Sequence, residues 1–116
     1  MKLNIDELQA SGAFAGEPVE KEIVWDQDGK EMKATTYVRK LSYISALADV
    51  RAHGDASDMV AGRIAACICD EKGDAVFTVE DITGEANPAR GPLNHNLTVA
   101  LLNVIAEVNS LGKAKA

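Results

Sequence analysis

Two stretches near the N-terminus alternate apolar and polar residues, Val19 to Trp25 and Met32 to Val38, with Asp28-Gly29 between them. Asp-Gly suits a type I′ turn, in which both central residues take positive φ. A two-residue turn there pairs Trp25 with Met32, Ile23 with Ala34 and Val19 with Val38, all on one face. Glu20, Glu22, Lys33 and Thr35 then take the other face. Register and hydrophobic pattern agree, so a β-hairpin over 19–38 is expected. A lone hairpin is not stable in water, and its apolar face must be covered by helices or by another subunit.

From Leu41 the period becomes helical. Leu41, Ile44, Leu47 and Ala48 share a face, and Gly54 ends that element. A second helix begins near Asp55 or Ser57, with Val60, Ile64, Cys67 and Ile68 as its stripe. Its other face is small (Ala61, Gly62, Ala65, Ala66 and Cys69), which admits a neighbouring backbone closely and predicts a central position. Asp70 to Asp74 is a polar turn, and Ala75-Val76-Phe77 a short extended piece. Thr78, with Asp81 three residues on, reads as the cap of a short helix, and Phe77 and Ile82 as its hydrophobic staple. After a loop from Gly84 to Gly91, Pro92 is expected in the first turn of a last helix running to about Ser110.

That last helix carries one stripe of Leu97, Leu101, Val104, Val108 and Leu111, widened by Ile105. Val99, Leu102 and Ala106 lie nearly opposite. A surface helix needs one apolar face, so two imply burial on both sides, within the domain or against a neighbouring subunit. Ahead of the hairpin, Asn4 is a good N-cap with Glu7 completing a capping box, Leu3 and Leu8 are placed as a staple, and Gly12 is the stop. So short a helix is marginal alone and must dock on something. Residues 11–18 read as a linker and 112–116 as a disordered tail, leaving 1–111 as a single domain. The expected fold is α+β, mainly α: the N-terminal β-hairpin followed by a bundle of about four helices.

Composition narrows the functional classes. At 116 residues the chain has the common size of one domain and needs no disulfide or metal staple. Aromatics make up only 4%, so the core must be aliphatic and alanine-rich. The net charge of −6, with Lys and Arg scattered, lacks the basic patch of a nucleic-acid binder and disfavours anionic lipid. The N-terminus turns acidic at Asp6-Glu7, where a secretory apolar stretch would begin. No apolar run approaches a membrane span. A reducing cytosol is therefore expected, with Cys67 and Cys69 as free, buried thiols.

No candidate for chemistry outweighs its plainer reading. Cys67 and Cys69, read on one helix, point away from each other, and no further Cys or His pair completes a metal site. His53 and His95 are isolated, with no nucleophile elbow in the chain, and read as helix-end or loop residues. Asp26 to Glu31 matches a calcium loop at Asp28 and Gly29 but sets Val24 and Thr35 on its first and last ligand positions. The hairpin turn explains those residues better. Glu80 and Asp81 are first-turn acids of a helix, and the sequon Asn96-Leu97-Thr98 has no meaning without secretion. No catalytic, metal or cofactor residue is expected. Trp25, the one tryptophan, either seals the hairpin onto its own helices or anchors an interface. With Ile23 and Val38 on the hairpin face, and Val99 and Leu102 on the last helix, it makes up the candidate interface.

An order of features in the second half is similar to a known family. An Ala-rich helix ends Ala65-Ala66-Cys67-Ile68-Cys69-Asp70-Glu71-Lys72-Gly73. Phe77-Thr78-Val79-Glu80-Asp81-Ile82 follows as a short strand entering a capped helix, and an aliphatic helix ends Ile105-Ala106-Glu107-Val108-Asn109. From about Ser57 to Asn109 the chain resembles the tail assembly chaperones of long-tailed (siphovirus) bacteriophages, and the whole, with a hairpin ahead of helices, looks like the HK97-like kind. The resemblance implies a non-catalytic protein of the host cytoplasm, absent from the mature virion. It implies binding to the long, aggregation-prone tape measure protein and help in bringing tail tube subunits to it. It also implies a frameshifted longer form, of which this chain is the short form; Gly112-Lys113 is compatible with a slippery run of codons. The surplus apolar faces of the hairpin and last helix suggest a homo-oligomer, a ring or spiral. Two other classes compete. A tube or terminator subunit of the tail would be richer in strand. An acidic adaptor or inhibitor would bind a basic protein in a strongly salt-dependent way.

Overall fold

A computed structural model describes residues 3–11, 13, 16–40 and 56–109. The helix expected from Leu41 to Gly54, His53 on it, Gly12, Leu111 and the tail 112–116 lie outside the described residues.

Helix α1 (Ile5–Ser11) starts as its sequence dictates. The Asn4 side-chain oxygen accepts from the Glu7 amide at 2.8 Å. The helix nevertheless buries none of its residues: Leu3 and Ile5 are largely exposed, and Leu8 is half-buried. Among the described residues the docking expected of it is not seen.

Strands β1 (Val19–Gln27) and β2 (Lys30–Val38) form the expected hairpin. Asp28 has φ 52° and Gly29 φ 81°, the positive pair a type I′ turn requires. Trp25 faces Met32, Ile23 faces Ala34 and Val19 faces Val38. Ile23, Thr36 and Val38 are buried on the inner face. Glu20, Glu22, Val24 and Asp26 of β1 and Glu31, Lys33 and Thr35 of β2 are exposed on the outer one. Along β1 the exposed positions are thus mostly acidic, and among the described residues this strand is an edge of the sheet.

Helix α2 (Ala56–Cys67) buries Ala61, Ile64 and Cys67. The helix was expected to continue through Cys69, but Ile68–Cys69 is instead a two-residue strand, β3, antiparallel to the end of β2. The local sequence favours helix here, and tertiary pairing overrides it. The Arg39 amide donates to the Cys67 carbonyl at 2.8 Å, while Ile68 and Cys69 lie opposite Val38 and Tyr37. The polar turn follows. Asp70 accepts from the amides of Lys72 and Asp74 at 2.9 and 3.0 Å, and Ala75 bridges back to Cys69.

Helix α3 (Val79–Thr83) carries a complete capping box between Thr78 and Asp81. Ile82 is buried, and half-buried Phe77 packs on the same core. Gly84 ends the helix at φ 95°. A Cβ there would lie 2.8 Å from the Pro92 nitrogen, so the close passage of the loop also requires glycine.

Helix α4 (His95–Asn109) begins later than Pro92 suggests. The Asn94 side chain caps it, accepting from the Leu97 amide at 3.0 Å. Pro92 stays in the preceding loop, where the Leu93 amide donates to the Ile82 carbonyl at 3.0 Å. Leu101, Val104 and Ile105 are buried. Two contacts tie α4 along β1 in antiparallel sense. Asn96 Nδ2 donates to the Asp26 carbonyl at 3.0 Å near one end, and Lys21 pairs with Glu107 at 2.9 Å near the other.

The architecture is α+β, with a three-stranded antiparallel sheet in the order β1-β2-β3 and four helices among the described residues. In place of a self-standing helical bundle, α4 lies across the inner face of the hairpin and α2 packs against α3, α4 and β3. One core joins Ile23 and Val38 of the sheet to Ile64, Cys67, Ile82, Leu101 and Ile105 of the helices.

Candidate functional site

β3 is the reason the fold has an open site. Because it pairs with β2 only at Tyr37 and Val38, the sheet narrows to two strands beyond that point. The chain then leaves through the turn at 70–74 and returns as the extended piece holding Val76 and Phe77. Between that piece, the sheet and α4 lies a cavity of about 360 Å³.

Its floor and walls are mainly apolar: Ile23, Trp25 and Ala34 from the hairpin, Phe77 from the return, Leu97 and Leu101 from α4. Val76 at its mouth is 52% exposed. Trp25 is half-buried, and its indole N–H donates to the Gln27 side chain at 3.2 Å. The ring thus presents carbon to the cavity while its polar edge is satisfied. Asp70 and Glu71, both exposed, border the cavity where β3 gives way to the turn. Partial burial, with the nearby Glu20 and Glu71 carboxylates, holds the Tyr37 phenol above its ordinary range. The same turn also holds Lys72 and accepts, at the Gly73 carbonyl, from the Arg39 guanidinium, so this end carries both signs with acids in excess.

The residues singled out from the sequence fall in different places. Ile23 and Trp25 meet at the cavity. Ile23 is mostly covered, and Val38 has no exposed surface and belongs to the core. Leu102 is half-buried against the core edge, while Val99 is 42% exposed on α4. Tyr37, Phe77 and Glu71 are additions that periodicity did not single out, because β3 and the turn bring them together. The polar turn followed by Ala75-Val76-Phe77 was the one local signal pointing there.

Elsewhere the chemistry is structural. Cys67 and Cys69 are buried and unbridged; the Cys69 thiol lies 3.4 Å from the Tyr37 carbonyl, to which it donates. His95 is exposed at the start of α4. Asp81 accepts from the Thr78 amide at 2.9 Å and pairs with Arg90 at 2.9 Å; those two partners hold its carboxyl below the usual range. Among the described residues no group of three or more His, Cys, Asp or Glu is placed to hold a metal ion, and no helix is long and apolar enough to cross a membrane.

The family model of the phage tail assembly chaperone, TAC, matches residues 6–109, from α1 to the end of α4. The chain belongs to the phage tail assembly chaperones. The match takes in the hairpin and α1 as well as the half from Ser57 to Asn109. No curated protein and no solved structure matches the chaperone significantly.

Proposed function

We propose that this chaperone binds the tape measure protein of its phage, keeps it soluble and helps recruit tail tube subunits to it, without catalysis. The observation that carries the reading is family membership across the hairpin and all four described helices. The open apolar cavity at Trp25 and Phe77 supports it, because a protein that shields an aggregation-prone client needs accessible apolar surface on a charged body. The net charge of −6 favours solubility of the loaded complex. In this reading the protein works in the host cytoplasm and is left out of the mature virion. It self-associates as a ring or spiral, with Val99 and Leu102 of α4 offered to the neighbour, and a frameshifted longer form joins it.

Co-expression with the phage's tape measure protein tests the central claim. The expected result is a tape measure protein that moves to the soluble fraction and co-purifies with the chaperone at high salt. A client that stays insoluble, or a complex that dissolves as salt is raised, overturns the reading; the second result points to an acidic adaptor.

A further inference from the structure

The cavity has a property beyond its apolar lining. Four consecutive residues of β2, Ala34, Thr35, Thr36 and Tyr37, border it. Side chains of a strand alternate between faces, so a cavity touching four in a row faces the strand's backbone edge. The ladder agrees. A two-residue turn makes Gln27 and Lys30 a hydrogen-bonded pair, and alternation makes Ile23–Ala34 and Lys21–Thr36 bonded pairs but Glu22–Thr35 a non-bonded one. Thr35 therefore turns its N–H and C=O away from β1, toward the side where β3 pairs. β3 stops at Tyr37, so Thr35 meets no strand there among the described residues.

We infer that this open edge of β2 takes one extended segment of a partner protein by strand addition. The segment's backbone pairs at Thr35, its alternate apolar side chains enter the cavity against Trp25, Phe77 and Leu97, and a lysine or arginine at its end meets Glu71 and Asp70. Asp70 already accepts two amides of its own turn, which leaves Glu71 the more available carboxylate. Charge selects the occupant. A second copy offering its own edge strand β1 would bring Glu20, Glu22 and Asp26 toward the acids at the cavity, whereas a basic-ended segment is attracted. Edge pairing supplies affinity and the side-chain pockets supply selectivity. The inference rests on the reading that the protein holds a client tail protein, and it names the kind of client segment held.

The test uses the full chain and two synthetic peptides of alternating valine and threonine, one flanked by lysines and the other by glutamates. Trp25, the one tryptophan, reports occupancy by fluorescence, and the Thr35 amide reports pairing by NMR. The lysine peptide should shift both signals and bind about tenfold or more tighter than the glutamate peptide. Thr35→Pro removes the outward N–H without breaking a β1–β2 ladder bond, a position at which a strand tolerates proline; it should weaken binding about tenfold while circular dichroism stays native. Glu71→Lys, on an exposed turn, should reverse the preference between the peptides. Failure of the lysine peptide to bind, or binding that ignores both substitutions, overturns the inference. So does a dimer by sedimentation in which the Trp25 signal is already shifted and no peptide competes. A failed peptide beside a solubilised tape measure protein sinks strand addition alone. A bound peptide beside an insoluble tape measure protein sinks the client reading alone.

Discussion

Helices α1 and α3 begin with the same grammar and end in different places. Asn4 and Glu7 open one, Thr78 and Asp81 the other, and each has an apolar pair set to staple its first turn. α3 is the shorter, at 5 residues against 7, yet it is the one bound into the molecule. Ile82 enters the core, its carbonyl accepts from Leu93, and Arg90 holds Asp81. α1 buries nothing. Capping therefore says where a helix starts, while the docking that makes a short helix stable comes from partners distant in sequence.

The largest expected effect that sharpens this contrast is at Ile82. Ile82→Ala should lower stability by about 2–5 kcal/mol, read from the midpoint of urea unfolding. Leu8→Ala should change the same midpoint by less than about 0.5 kcal/mol. A Leu8 effect as large as that of Ile82 would mean that α1 is docked in solution. Next come the caps. Thr78→Ala should cost about 1 kcal/mol of global stability. Asn4→Ala should leave the melting temperature unchanged and speed hydrogen exchange only at the first amides of α1.

The smallest effect is with pH. The Asp81 carboxyl is held below its ordinary value, 3.8, chiefly by the Thr78 amide and then by Arg90. A lowered folded value means that the carboxylate's contribution is complete above the unfolded value and fades as pH falls through the folded one. Asp81→Asn should therefore flatten the loss of melting temperature on acidification below about pH 4. The corresponding Glu7→Gln change in α1 should leave that profile alone.

How much of this was legible in the sequence follows the same division. The hairpin was readable to the residue, because turn geometry and the alternation of Ile23, Trp25, Met32 and Ala34 impose one register. The capping box of α3 was readable because it spans four residues. Ile68 and Cys69 were not: nothing next to Ala65-Ala66-Cys67 announces a strand, and their pairing depends on Tyr37 and Val38, about thirty residues earlier. Pro92 was assigned to the helix because proline suits a first turn, whereas Asn94 is the cap and the loop is held by Gly84. The candidate site inherits this limit. Trp25 and Ile23 could be named in advance, but the cavity exists because β3 is short, and no local pattern encodes the length of a strand that tertiary pairing creates.

The acids along β1 bear on growth. A sheet with two free edges propagates from copy to copy, as a polymer does from two reactive ends. Here one end is blocked: any strand approaching β1 meets Glu20, Glu22 and Asp26. The other edge is already terminated at Tyr37 by the chain's own β3. Among the described residues a short stretch of β2, around Thr35, is left without a strand on that side. Under the strand addition proposed above, such a sheet takes one added strand and does not propagate from copy to copy.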